Sequence, residues 1–158
     1  DVCSSDLLPD PTVLAAFGAR AVLTHGDAWC LADTAYQQFR RMVRDPAWQA
    51  GVLARPLAER RALARSIRSE SERQGLELRG EWADVDPPTA LEHLRAARAV
   101  TLVHGHTHRP ETELLAVGLT RHVLSDWDLD HADALPRAEV LRWQATGWTR
   151  LTPAAAAA

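Results

Sequence analysis

The sequence predicts an α/β fold on three observations. Two short apolar runs, "ARAVLTHGD" at 19–27 and "ARAVTLVHGHTHRP" at 97–110, end in His-Gly, which is typical of strands that lead into polar loops. The segment between them has helical periodicity and helix-capping residues. Near-continuous apolar runs are typical of strands buried on both faces. In α/β proteins with such strands, ligands bind at the loops beyond the carboxyl ends of the strands. We therefore expect the two histidine loops to meet in space, although about 80 positions separate them.

Composition narrows the class of protein. With 158 residues, of which 46% are apolar and 25% charged, the chain has the size and make-up of one globular domain. Cys3 and Cys30 are too few for a disulfide framework, and no C-x-x-C pair indicates structural zinc. No apolar run approaches the ~20 residues of a membrane span, and no signal-peptide pattern precedes the domain. These features predict a cytoplasmic protein, and we expect no nucleic-acid partner.

The segment after the first histidine loop predicts helices. Asp33 is placed to cap a helix over "TAYQQFRRMVR", and Pro46 and Pro56 divide the rest of the segment into shorter helices. Residues 40–73 contain nine Arg and four acidic residues, and apolar side chains recur at helical spacing within 56–74. We interpret this segment as a basic amphipathic insert. A solvated helical hairpin packed on the core remains the alternative.

A second helix start precedes the second histidine loop. Asp86 is the predicted cap, with prolines in the first turn, and the helix is expected to reach about Arg98. After His108 the chain contains four short β-type runs with turn residues between them, which predicts a meander of antiparallel strands. The runs are 112–118, 121–127, 138–144 and 147–153. The alanine tail at 154–158 is a low-complexity segment with no assigned role.

The stretch "HGHTHRP" at 104–110 carries the strongest chemical signal. Three histidines in five residues, after a buried-type strand, favour a metal site over surface histidines. His25, in the similar "LTHGD", is a further candidate ligand, although a strand-end His is often a hydrogen-bonded core residue. A dinuclear hydrolase also needs carboxylates, and Asp27 is the only acid beside these loops in the sequence.

Four stretches of the sequence match one family: "HGDAWCLADTAYQQFR" at 25–40, "RSIRSES" at 65–71 followed by "ADVDP", "HGHTHRP", and "VLSDW" at 123–127. They resemble the calcineurin-like metallophosphoesterases, in particular the branch that hydrolyses UDP-2,3-diacylglucosamine in lipid A synthesis, whose "VLGDW" is similar to "VLSDW". The first and third, in this order and spacing, are specific to that branch. The resemblance implies the C-terminal part of an αββα sandwich over 8–153, with a helical insert, or cap, over about 34–86.

Residue by residue, the resemblance makes His25 and His106 ligands of one metal ion and His108 a ligand of the other. It excludes His104 as a ligand. The residues that would hold the glucosamine, phosphate and acyl portions of the substrate are Asp33, Tyr36, Arg68 and Ser71, with Arg40 in support and His106 close to the diphosphate.

The implied reaction is hydrolysis of the diphosphate of UDP-2,3-diacylglucosamine to UMP and 2,3-diacylglucosamine 1-phosphate (lipid X), with two divalent ions, expected to be Mn²⁺. The implied location is the cytoplasmic face of the inner membrane of a Gram-negative bacterium, with peripheral attachment. Two alternatives remain at this point: another metallophosphoesterase acting on nucleotides or phosphoproteins, and a non-catalytic metal-binding or membrane-surface module.

The sequence departs from the family pattern in three places. The polar residues expected soon after Ser71 have no clear counterpart, and Ser125 stands where the family has Gly. The family's D-x-H, G-D and G-N-x-D motifs, which supply the remaining metal ligands, are absent. "DVCSSDL" at 1–7 can be translated from a common sequencing adapter, so we interpret it as a non-native leader. We therefore expect the chain alone to be inactive.

Overall fold

The computed structural model describes residues 7–77, 83–129 and 137–158. Contacts divide the chain into two compact units, one formed by 1–29 with 85–158 and the other by 30–84. The predicted leader at 1–7 lies outside the described residues except for Leu7. The helices and strands confirm an α/β protein, while the αββα sandwich and the role of a cap stay predictions.

The first unit is built on a five-stranded mixed sheet. Its strands are β1 (Thr12–Ala16), β2 (Ala19–Thr24), β3 (Thr101–His104), β4 (Glu111–Ala116) and β5 (Leu119–Val123). Their order in the sheet is β1-β2-β3-β5-β4. The three inner strands are parallel, and β1 and β4 run antiparallel beside them. Both apolar runs that end in His-Gly are therefore neighbouring inner strands, as predicted.

Helix α4 (Pro87–Ala97) covers one face of this sheet. Asp86 caps it by accepting hydrogen bonds from the backbone N–H of Thr89 at 2.9 Å and from the Thr89 hydroxyl at 2.6 Å. These bonds favour the carboxylate and lower the pKa of Asp86. Ala90 and Leu94 of α4 are buried, as are Ala21, Val22, Leu102, Val103 and Val123 of the inner strands. The cap, the prolines and the end at Arg98 confirm the sequence prediction.

The remaining elements of this unit are β6 (Val140–Gln144), β7 (Gly147–Leu151) and the short helix α5 (Pro153–Ala157). β6 and β7 form a hairpin. Trp143 and Trp148 of the hairpin stack at 4.7 Å and line an apolar cavity of about 270 Å³ together with Leu14, Leu23 and Val103 of the sheet. Arg150 ties the hairpin to the sheet, because it donates to the carbonyl oxygens of Glu111 and Val123, each at 2.9 Å.

One sequence prediction needs correction in this unit, and one strand was not predicted. β4 with β5 and β6 with β7 are antiparallel pairs as predicted, but β5 also pairs in parallel with β3 and so belongs to the central sheet. β1 was not predicted, because its residues "TVLAA" show no alternation of polar and apolar types, although half-buried and exposed positions alternate strictly along the strand.

The described part of the second unit contains three helices, α1 (Thr34–Val43), α2 (Pro46–Leu53) and α3 (Leu57–Glu77). Asp33 caps α1 by accepting from the backbone N–H of Tyr36 at 2.9 Å, and Asp45 caps α2 in the same way through Trp48 at 2.8 Å. The breaks at Pro46 and Pro56 lie where the sequence predicted them. α1 and α2 contain no buried residue. In α3, Leu63 and Ile67 are half-buried and Leu57 is exposed.

Candidate metal and phosphate site

The candidate site lies at the carboxyl edge of the inner strands. Thr24 of β2 pairs with His104 of β3, and His104 pairs with Val123 of β5, so the three strands end side by side. The segments beyond them carry His25, His106 with His108, and Asp126 in turn. Ligand sites in α/β sheets form at this edge because the loops after parallel strands converge there.

His25 and His106 lie side by side. Their ring centroids are 5.2 Å apart and their planes meet at 68°. The backbone N–H of Gly105 donates to the carbonyl oxygen of His25 at 3.1 Å, which joins the two loops. The structure thus confirms that the two histidine loops meet.

His108 lies beside an acidic side chain from the next segment. Its Nδ1 is 3.9 Å from Oδ2 of Asp126. Arg137 donates to both oxygens of Asp126, from Nε to Oδ1 at 3.1 Å and from Nη2 to Oδ2 at 2.6 Å. The pKa of Asp126 is lowered, chiefly because Arg137 donates to the carboxylate, and burial opposes this only in part. Asp126 is therefore a fixed negative charge at this edge.

The backbone of the second histidine loop is strained. His106 and His108 both have positive φ angles, 63° and 52°, which cost a residue with a Cβ about 1–3 kcal/mol each. Thr107 between them is only 9% exposed, and no partner for its hydroxyl is present among the described residues. Strain of this kind concentrates at functional sites, because the surrounding fold must hold it in place.

His104 is the histidine of this stretch that does not enter the loop. It is 0% exposed, as the last residue of a buried strand, and its Nδ1 lies 2.9 Å from the carbonyl oxygen of Gly105. Gly26 packs directly against it with a φ of 99°, and a Cβ at position 26 would lie 3.0 Å from Nδ1 of His104. The close approach of the first loop to the second strand therefore requires a glycine.

The acidic residues of the edge correct the sequence analysis, which found Asp27 alone beside the loops. Asp27 is buried in a short 3₁₀ turn. Two further acidic residues, Asp10 and Asp126, lie at the edge. Asp10 accepts from the hydroxyl of Thr24 at 2.6 Å and from the backbone N–H of His25 at 3.2 Å. Its approach depends on β1, whose antiparallel direction returns the residues before it to the carboxyl end of β2. Only the pairing of an unpredicted strand could have revealed it.

Most of the predicted substrate-binding residues belong to the second unit and are described there by themselves. Asp33 is the α1 cap, the ring of Tyr36 lies 6.4 Å from that of Phe39, Arg40 is in the last turn of α1, and Arg68 is on α3. The side chain of Ser71 lies outside the described part of the structure. A groove of about 320 Å³ on this unit is lined by Leu31, Thr34, Gln37, Gln38 and Arg41, and by none of the predicted residues.

The donor types at the edge suit a divalent metal, since imidazole and carboxylate groups bind such ions. Within 7–77, 83–129 and 137–158, however, no three histidine, cysteine or acidic side chains come together closely enough to hold an ion. The described residues therefore do not by themselves form a metal site, and the metal ligands stay a prediction. Among the same residues, no helix has the length and hydropathy to cross a bilayer.

Comparison with known proteins gives a consistent result. No protein-family model matches the chain. The chain is 47% identical over 136 residues to the UDP-2,3-diacylglucosamine hydrolase of Bordetella pertussis. The matched residues are 84% of this chain and 53% of that relative. The hydrolase of Chromobacterium violaceum is 49% identical over 125 residues, 77% of the chain and 51% of the relative. That of Stenotrophomonas maltophilia is 40% identical over 153 residues, 90% of the chain and 59% of the relative.

The chain therefore spans about half the length of the curated relatives that it matches. Identities of 40–49% over most of the chain are far above chance resemblance, and the proteins that share them all have the same name. Over 77–90% of its own length, this chain is therefore similar to UDP-2,3-diacylglucosamine hydrolases.

Proposed function

We propose that the protein hydrolyses the diphosphate of UDP-2,3-diacylglucosamine. Water attacks one phosphorus atom, the bridging P–O bond breaks, and the products are UMP and 2,3-diacylglucosamine 1-phosphate. The observation that carries the proposal is the pair of histidine loops joined at one strand edge, in a chain 47% identical to a hydrolase named for this substrate. The names of the relatives do not favour the alternative functions of a nucleotide or phosphoprotein phosphoesterase or a non-catalytic module.

The donor set supports two divalent ions, for which we propose Mn²⁺. His25 and His106 would hold one ion and His108 the other, with further ligands needed beyond the described residues. Ions bound there would lower the pKa of the attacking water and neutralise charge that develops on the diphosphate. Asp10 would serve this edge indirectly, because its bond to the N–H of His25 fixes the backbone that carries a ligand.

The helical unit would bind the rest of the substrate. Arg40 and Arg68 carry positive charges that suit phosphate. Asp33 and Tyr36 carry polar groups that suit the sugar, and Ser71 is the remaining residue of the proposed set. The excess of arginine over acidic residues in 40–73 supports contact with an anionic membrane surface. From this charge together with the family resemblance, we propose peripheral attachment to the cytoplasmic face of the inner membrane of a Gram-negative bacterium.

The proposal can be tested by a graft. The 136 matching residues of this chain replace the matching stretch of the Bordetella pertussis hydrolase, and Mn²⁺-dependent release of UMP is measured. We expect the chimera to be active, and His106→Ala or His108→Ala to lower turnover by at least about 100-fold, because loss of a ligand costs no less than loss of a group that only supports one. The chain alone should release no UMP, because its described residues do not complete a metal site.

His122→Gln is the matched control, since this histidine is on β5 and outside both loops. It should leave the turnover of the chimera nearly unchanged. Full turnover in both loop variants would reject the site, and a folded chimera that binds the substrate without hydrolysing it would reject the proposed activity.

A further inference from the structure

We propose that Asp126, held by Arg137, is a positioning residue for His108, and that it fixes the imidazole with Nδ1 inward and Nε2 presented to the site. The contacts that carry this inference are independent of any bound ion. The identity of the group that Nε2 then binds rests on the proposed function.

The first step is the direction in which the imidazole faces. Nδ1 of His108 is 3.9 Å from Oδ2 of Asp126, a distance of electrostatic contact rather than of a hydrogen bond. The side chain of His108 is 61% exposed and that of Asp126 is 15% exposed. The negative charge of Asp126 therefore lies on the less solvent-exposed side of the imidazole. A carboxylate beside Nδ1 favours the tautomer with the proton on that nitrogen, which leaves the lone pair of Nε2 available on the opposite side of the ring.

The second step is the rigidity of the carboxylate. The guanidinium of Arg137 grips both oxygens of Asp126 at 2.6 and 3.1 Å, a two-point contact that prevents rotation. Arg137 is itself fixed, because its backbone N–H and C=O each pair with Asp128 at 2.8 Å and its Nη2 also donates to Oδ2 of Asp128 at 3.2 Å. Asp126 and Arg137 thus connect the His108 ring to the backbone of Asp128, which lies beyond β5.

The third step separates positioning from simple stabilisation of the loop. Asp126 and Asp128 both pair with Arg137, but only Asp126 has an ion-pair contact with His108. If the network only stabilises the loop, loss of either carboxylate should have similar consequences. If Asp126 positions the ring, the two losses should differ at His108. This makes Asp128 a matched control within the same network.

The experiment measures the tautomer of His108 by ¹⁵N NMR of the metal-free chain at about pH 8.5, where imidazole is neutral. In the unaltered chain and in Asp128→Ala, we expect the form protonated at Nδ1 to predominate. In Asp126→Ala the form protonated at Nε2 should increase severalfold. Asp126→Asn, which keeps the shape of the side chain without its charge, should give a smaller change in the same direction and provides a folded variant if alanine is not tolerated. The same tautomer ratio in all four proteins would overturn the proposal.

A second measurement separates this proposal from the proposed function. In the chimera, Asp126→Ala should weaken Mn²⁺ binding about 10–100-fold, and Asp128→Ala should change it by less than about twofold. A tautomer shift in a chimera that binds no Mn²⁺ would support the positioning role and reject the metal-binding part of the proposed function. Equal weakening by both variants would reject the positioning role.

Discussion

The two His-Gly segments at the sheet edge look alike in sequence and differ in structure. In the first, Thr24 ends β2 and His25 is exposed beyond the strand. In the second, His104 is itself the last strand residue and is completely buried. Because Thr24 pairs with His104, the first His-Gly segment is displaced by one residue relative to the second. Register therefore decides which histidine can reach a ligand, and the dipeptide alone does not.

Replacement of each histidine by alanine should give the largest contrast. His104→Ala should lower the free energy of unfolding by about 2–4 kcal/mol, because it leaves a cavity among buried strand residues. His25→Ala should change it by no more than about 0.5 kcal/mol, because the side chain is exposed. Urea unfolding followed by circular dichroism measures both values. Similar losses for the two variants would show that the displaced register does not separate the histidines.

The glycines next to the two histidines should also respond differently. Gly26→Ala should cost about 1–3 kcal/mol, because position 26 has a positive φ and a Cβ would press on His104. Gly105→Ala, where a Cβ would meet only the carbonyl oxygen of His25 at 3.8 Å, should cost less than about 1 kcal/mol. The same unfolding measurement applies. A harmless Gly26→Ala would contradict the close approach of the first loop to β3.

Two buried threonines provide a finer contrast. Thr24 is 6% exposed, donates to Asp10 and accepts from the N–H of Gly26, whereas the hydroxyl of Thr107 has no partner among the described residues. Thr24→Val should therefore cost about 1–3 kcal/mol, and Thr107→Val should be neutral or stabilising by up to about 1 kcal/mol. Thermal and urea unfolding test both. A large loss in Thr107→Val would indicate that its hydroxyl does have a structural partner.

The sequence predicted those features that depend on local patterns. The caps Asp33 and Asp86, the breaks at Pro46 and Pro56, and the two strands before the histidine loops all come from residue type and spacing. The positions of Asp10 and Asp126 at the sheet edge could not be predicted in this way, because each depends on strand pairing between distant segments. The resemblance selected His106 and His108 over His104, and the structure gives a physical reason for this choice, since His104 is buried in β3. Their role as ligands stays a prediction.

A second strand histidine, His122, tests the distinction between strand and loop positions through pH. It is buried on β5, and its Nδ1 lies 2.9 Å from the hydroxyl of Thr112. Burial, and secondarily the charge of Arg150, lower the pKa of His122 below its ordinary 6.5. The unfolded chain therefore takes up a proton at higher pH than the folded chain does. Stability should fall as the pH is lowered through 6.5 towards the folded-state pKa, and should be retained above 6.5.

We expect His122→Gln to lose less stability than the unaltered chain between pH 7.5 and 5.5, as measured by urea unfolding at each pH. Asp86 and Asp126 do not interfere in this window, because their pKa values lie below the ordinary 3.8 and both stay ionised. An identical pH dependence in the two proteins would show that a strand position does not suppress protonation of His122. A steeper loss in the unaltered chain would mean that burial in a strand keeps this histidine neutral.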